Sequence, residues 1–178
     1  MALERFSEGG LYGTSMEQIA EAAGVTKPVL YQHFGSKRAL YLELLEDVDS
    51  QLMEAITKAT AEAVGPRQQV ERGFAAYFRY VSERQSAFRL LFSEGTRRDD
   101  EFSDAVRRVE ESIANAVAVL IEADIDDLHR RQLAFAIVGM AEGVSRAELA
   151  AGQAVDPDAL ARRMAELAWA GLRGIHRV

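Results

Sequence analysis

Residues 15–45 read SMEQIAEAAGVTKPVLYQHFGSKRALYLELL, and the breaks inside this stretch decide the fold. Ser15 precedes a run of helical periodicity and is followed three residues later by Gln18, the spacing of a capping box. Thr14-Ser15 therefore caps a helix from Met16 to Ala23, and Gly24 is a natural left-handed C-cap. Thr26 caps a second short helix with Pro28 in its first turn, Gly35 ends it, and Ser36 caps a long helix from Lys37 to about Val64. Two short helices joined by a Gly-containing turn make a helix-turn-helix unit. Its expected small core is Ile19, Ala20, Ala23, Val25, Leu30 and Phe34.

Working outward, the block TKPVLYQHFGSKR (26–38) contains Lys27, His33, Lys37 and Arg38 and no carboxylate. The whole chain carries 21 Lys+Arg against 28 Asp+Glu, a net charge of −7. That balance argues against general nucleic-acid affinity but leaves room for one local basic face, because phosphate contacts act over roughly a Debye length, about 8–10 Å. In a helix-turn-helix unit the second helix exposes its N-terminal residues, here Thr26, Lys27, Pro28 and Val29, with Gln32 and His33 one turn on, towards base edges in the major groove. The bland reading of the same pattern is a three-helix packing with no nucleic acid.

The chain has 178 residues, 48% hydrophobic and 28% charged, enough for a real core. It contains no cysteine, which excludes disulfides and thiolate metal sites and suits a reducing cytoplasm. No apolar run approaches the roughly 18 residues of a membrane span, and the N-terminus has no secretory h-region. Nearly everything reads as helix. Residues 2–8 look like the end of a helix stopped by Gly9-Gly10. After Gly65-Pro66, Val70, Phe74, Tyr77-Phe78 and Val81 mark one face; a short helix Ser86–Phe92 follows. Beyond the polar break SEGTRRDD, the stripes are Phe102-Val106-Val109-Ile113-Val117-Leu120, then Leu133-Ile137-Met140-Val144, then Leu160-Met164-Leu167-Leu172 after Asp156-Pro157. The expected class is all-α, with residues 1–45 as a three-helix DNA-binding domain and 46–178 as a helical bundle for ligand binding and dimerisation.

The register of TSMEQIAEAAGVTKPVLYQHFGSKRALYLELL resembles the DNA-binding domain of the TetR family of bacterial repressors, without a gap from Gly13 to about Leu45. The resemblance implies base or thymine-methyl contacts for Thr26, Lys27, Pro28 and Val29, a phosphate contact for the Tyr31 hydroxyl, and base and backbone contacts for Gln32 and His33. It makes Lys37 a phosphate ligand at a helix N-terminus, where free N–H groups also favour an anion. Thr14 or Ser15 would hold another phosphate. An acid in block 26–38 would meet the phosphate backbone at close range, which explains the charge pattern. The family usually carries a full first helix, often with a basic arm; this chain begins part-way along that helix, at Met1-Ala2-Leu3-Glu4, so no arm contacts are assigned.

The segments AFRLLF, ESIANAVAVLI, AIVGMAEGVSRAEL and AWAGL resemble a branch that includes actinobacterial regulators of fatty-acid synthesis. This implies a small, mostly apolar effector, such as long-chain acyl-coenzyme A or a fatty acid. Its expected wall is Phe74, Tyr77, Phe78, Phe88, Leu91, Phe92, Val106, Val109, Ile113, Val117 and Ile137, with Arg107 or Arg146 as candidate partners for a polar head. Core packing is the competing role for these aromatics. The family's homodimer seam implies Ala134, Val138, Ala141, Leu160, Met164, Ala168 and Leu172. Chemistry of other kinds finds no support. His33, His129 and His176 lack metal-ligand spacing, GGLYG (9–13) lacks the Lys-Ser/Thr of a phosphate loop, and Glu110-Glu111 and Asp126-Asp127 read as solvated faces or caps. No metal, cofactor or enzymatic role is expected. The readings that compete with a ligand-responsive repressor on a palindromic operator are a helical-bundle carrier or enzyme with no DNA role, and an interaction protein using its basic patch on acidic partners.

Overall fold

A computed structural model describes residues 1–92, 100–151 and 156–175, the side chain of Phe92 excepted. Its helices, in chain order, are α1 Ala2–Gly13, α2 Met16–Ala23, α3 Lys27–Phe34, α4 Lys37–Ala61, α5 Pro66–Glu83, α6 Gln85–Phe92, α7 Asp100–Ala118, α8 Asp127–Ala151 and α9 Pro157–Leu172. Among the described residues there is no strand, and no helix is long and apolar enough to cross a membrane. Apart from Asp100, the polar break SEGTRRDD lies outside the described residues.

The helix ends follow from local chemistry. Ser15 Oγ accepts the Gln18 N–H at 3.2 Å while Gln18 Oε1 accepts the Ser15 N–H at 2.8 Å, completing the capping box. Gly24 adopts φ 68°, ψ 26°, a conformation that costs a Cβ-bearing residue, and its N–H returns to the carbonyls of Ala20 and Glu21. Ser36 Oγ accepts from the Ala39 N–H at 3.0 Å, and Asp156 Oδ1 accepts from Asp158 and Ala159. Thr26 departs from expectation: it occupies the N-cap position of α3 but its side chain makes no capping bond. The expected stop at Gly9-Gly10 is a break at Gly10 (φ 63°, ψ −176°), after which helical turns resume to Gly13. The long helix ends at Ala61, short of Val64, where Gly65 turns the chain.

The described chain divides into two compact units. The first comprises Met1–Ser50 with Arg84–Val109, the second Gln51–Glu83 with Glu110–Val178. This division differs from the expected one at 45/46. It falls five residues further along α4, and α6 and the start of α7 join the first unit. In the first unit Tyr41 is sandwiched between Phe6 (5.0 Å, edge-on) and Phe102 (4.6 Å), and its hydroxyl donates to the Leu90 carbonyl at 3.3 Å. Ile19, Ala20 and Leu30 are buried there as expected, but Val25 is exposed. In the second unit α5 packs on α9, whose inward residues Ala161, Ala165 and Ala168 are small enough for close approach. Phe74 stacks on Phe78 at 6.0 Å, and Tyr77 meets Phe78 edge-on at 5.3 Å.

Candidate nucleic-acid interface and ligand cavity

The helix-turn-helix unit presents one continuous outward face. Leu30 is buried and fixes the rotation of α3; Gly24 to Val29, Tyr31, Gln32 and His33 are all exposed. Val29 and Tyr31 are large side chains left 38% and 41% accessible. Lys27 Nζ lies 5.9 Å from the Tyr31 ring centre and forms an ion pair with Glu17 of α2. The hydrogen bond from Lys27 holds the Glu17 carboxyl below its ordinary value, and the same bond raises the Lys27 ammonium. The block free of acids in sequence therefore acquires one in space. The pair is open to water, so its net contribution is small.

Lys37, half-buried at the first position of α4, donates from Nζ to the Thr14 carbonyl at 2.8 Å. An ammonium has three donors, so two remain for an anion. Thr14 is buried, and its hydroxyl donates to the Arg5 carbonyl at 3.0 Å. A Cβ at Gly9 would stand 2.8 Å from that Thr14 oxygen, so the glycine clears the space. Of the expected pair, Ser15 is the one left accessible, beside the free N–H groups that open α2. Arg38 is held by Glu101 Oε2, at 3.0 Å from Nε, and lies over the Phe102 ring at 4.6 Å.

The second unit holds an open-sided cavity of about 180 Å³. Of the expected wall, Phe74, Tyr77, Ile113, Val117 and Ile137 line it. Phe78 is buried behind Phe74 and Tyr77 and does not reach the surface of the cavity. Phe88, Leu91, Val106 and Val109 are buried in the first unit instead, and the side chain of Phe92 lies outside the described residues. The proposed head partners are also elsewhere: Arg107 pairs with Asp104 at 3.0 Å, and Arg146 with the buried Glu142 at 3.3 Å. Sequence reasoning missed Ile56 and Thr60 at the end of α4, Gln69 and Gly73 on α5, and Trp169 and Arg173. Ile56 carried a signal as part of the α4 stripe, and Val70 and Leu120, which also line the cavity, lay on the stripes of Phe74 and of Phe102.

Polar groups at the cavity are few. The Thr60 hydroxyl donates to its own helix, 2.9 Å from the Ile56 carbonyl. Burial pushes the Tyr77 hydroxyl well above its ordinary pKa, so it stays protonated. The nearby Ser145 Oγ works against that shift, yet it is buried without a hydrogen bond of good geometry. Gln69 Oε1 is likewise buried and unpartnered. The loop that forms one wall is gathered by Arg130, whose guanidinium donates to the carbonyls of Ile121, Ala123 (2.9 Å) and Ile125 (3.2 Å).

The expected seam residues are turned inward. Ala134, Ala141, Leu160 and Ala168 are buried in the chain's own core, while Val138, Ala141 and Leu172 line the cavity. Met164 is half-buried. The outward face of α8 includes Leu128, Gln132, Ala136, Gly139, Arg146, Ala147 and Ala150, and that of α9 includes Arg163, Leu167 and Ala170.

Residues 1–44 match the family described as "Bacterial regulatory proteins, tetR family", and residues 66–171 match "Tetracyclin repressor-like, C-terminal domain". The chain belongs to the TetR family. The transcriptional activator FasR of Mycolicibacterium smegmatis is 31% identical over 173 residues, spanning 96% of this chain and 79% of that TetR-family relative. A TetR-like regulator from Rhodococcus sp. RHA1 superposes with a TM-score of 0.78 at 28% identity, covering 98% of this chain and 92% of the other. FadR of Bacillus subtilis, solved in complex with stearoyl-CoA, superposes with a TM-score of 0.80 at 18% identity over 98% of this chain and 96% of its own, and so shares the fold. TetR proteins are DNA-binding, ligand-responsive transcriptional regulators rather than enzymes, and this chain is one of them.

Proposed function

We propose that the protein is a repressor that binds a palindromic operator as a two-fold dimer and releases it when a mostly apolar effector enters the cavity of the second unit. One observation carries this reading. Helix α4 begins with Lys37, beside the exposed face of α3, and 19 residues later presents Ile56 to the cavity. A ligand touching Ile56 and Thr60 thus acts on the same rod that holds a phosphate-binding lysine. Thr26, Lys27, Pro28 and Val29 meet bases, Gln32 and His33 meet bases and backbone, and Tyr31, Lys37 and Ser15 hold phosphates. The dimer forms on the outward face of α8 and α9, where Ala136, Gly139 and Ala147 allow close helix approach. A regulator of this kind works in the cytoplasm, where the chromosome is.

The effector is proposed as apolar because the cavity wall is. Long-chain acyl-coenzyme A or a fatty acid is the class suggested by resemblance, and FadR of Bacillus subtilis was solved with stearoyl-CoA. A cavity of 180 Å³ is close to the roughly 150 Å³ that accommodates benzene, so only part of a long chain fits inside it, and its open side leaves room for the rest to extend outward. FasR is named an activator, so the sign of regulation is a quantity to measure. Fluorescence anisotropy with DNA from the protein's own promoter region, with acyl-coenzyme A of graded length, tests the whole reading. Operator affinity should fall on effector addition, and linkage requires operator to weaken effector binding by the same factor. Effector binding that ignores operator DNA would remove the coupling, and a reporter fusion that falls on deletion of the protein would replace repression by activation.

A further inference from the structure

We infer that Glu17 and Lys27 act as one reading unit, in which the Lys27 ammonium takes the guanine and the Glu17 carboxylate takes the cytosine amino group of a single G·C pair in each half-site. The inference rests on the base contact proposed above for Lys27 and adds to it a residue from the other helix. Glu17 lies in the first turn of α2, and Lys27 is the first residue of α3. Their side chains are joined by a hydrogen-bonded ion pair. The Lys27 side chain is 44% exposed and that of Glu17 63%. An ion pair this open contributes little to folding. A carboxylate on a face that meets phosphates weakens general attraction to DNA. Neither folding nor general DNA affinity accounts for an acid at this place, whereas a contact that requires an acceptor does.

Position decides what the pair can reach. In a helix-turn-helix unit the N-terminal residues of the second helix contact base edges in the major groove. Lys27 Nζ is bounded on two sides, by the Glu17 carboxylate and by the Tyr31 ring, whose centre is 5.9 Å away. Where Nζ meets a base edge, the carboxylate bonded to it is carried to the same level of the groove, because successive base pairs stand about 3.4 Å apart. An ammonium has only donors, and an ionised carboxylate only acceptors. Guanine presents two neighbouring acceptors, N7 and O6, and the cytosine paired with it presents the N4 amino donor beside them. That order matches an ammonium with a carboxylate at its side. An A·T pair separates its two acceptors, N7 and O4, by the N6 donor and sets the thymine methyl next to O4, so it offers the ammonium a poorer seat.

The test begins with sites selected by the wild-type protein from duplexes with randomised half-sites. These should share a G·C pair whose preference is lost in Lys27→Met. The cytosine of that pair is then replaced by N4-methylcytosine, which keeps the base pair but puts a methyl group where the amino hydrogen faces the major groove. The replacement should weaken binding of the wild type by about tenfold, the scale of one good base contact, and leave binding of Glu17→Ala nearly unchanged. Wild type and Glu17→Ala should melt at the same temperature, because the side chain is exposed. Equal losses for the two proteins overturn the Glu17 contact and leave the Lys27 contact standing. A Lys27-dependent pair that proves to be A·T overturns the chemical class. Selected sites that Lys27→Met does not change remove the base contact of Lys27, and the inference falls with it.

Discussion

Helix α3 and helix α8 use apolar residues in opposite ways. In α3 only Leu30 is buried and Phe34 half-buried, and the other six of its eight residues face outward, including Val29 and Tyr31. In α8, Ala134 and Ala141 are sealed in the core while Ala136 and Gly139, two residues away from each, are open. The first helix is a surface supported by one anchor; the second is a wall between a core and an outside face. A substitution should thus be read by its angle on the helix before its chemistry. In α3 nearly any change alters what is bound, whereas in α8 a shift of two residues, about 200° around the axis, decides between folding and assembly.

The sharpest way to break this comparison is to place the same charge at two positions of α8 that lie two residues apart. Ala134→Glu buries a carboxylate at a fully covered site and should destabilise the second unit by about 3–5 kcal/mol or prevent folding, seen as loss of the cooperative melt. Ala136→Glu should leave the melt nearly unchanged and shift sedimentation from dimer to monomer. A dimer that survives Ala136→Glu would move the proposed seam off this face.

Within the DNA-facing region the next effect is Lys37→Ala. It removes both the proposed phosphate contact and the bond to the Thr14 carbonyl. Affinity for all DNA sequences should fall alike, and the slope of log affinity against log salt should become shallower by about one unit. Lys27→Ala should instead relax base preference, by roughly tenfold at one position of each half-site. An unchanged salt slope for Lys37→Ala would return that residue to a purely structural role.

Smaller still is Glu17→Gln. Freeing Lys27 from its exposed partner should raise affinity for random DNA slightly and reduce the ratio of specific to random binding, measured by competition. A lower affinity for random DNA would mean that Glu17 helps rather than restrains.

The smallest expected effect concerns Asp49 on α4, whose carboxyl is raised by burial and whose Oδ1 is buried without a partner. A carboxyl raised in the folded state opposes folding above that raised value. The penalty vanishes below the unfolded value, where both states are protonated. Asp49→Asn should therefore raise the melting midpoint at neutral pH, with the gain shrinking as pH falls towards the ordinary carboxyl range. A gain that is independent of pH would trace to something other than ionisation.

The helix-turn-helix was legible because its signals are local. Ser15 and Gln18, Gly24, Pro28, Gly35 and Ser36 each act within four residues and behave as their chemistry dictates, whereas Thr26 makes no capping bond from its side chain. The cavity was legible only in part. Phe74, Tyr77, Ile113, Val117 and Ile137 lie on apolar stripes, but Gln69 and Arg173 are polar and no stripe selects them. The inward side of α8 was not legible, because LAFAIVGMA is apolar or small on every side, so its period does not say which side is inward. That Phe88, Leu91, Val106 and Val109 belong to the first unit depends on where α6 and α7 pack, which is a long-range property with no local signature.

Arg130 fastens the wall loop through three backbone carbonyls rather than through an acid. A guanidinium does not deprotonate in proteins, and a peptide carbonyl does not titrate. All three bonds converge on one side chain, so the clasp has a single point of failure, and Arg130→Ala would release the three carbonyls of this wall together.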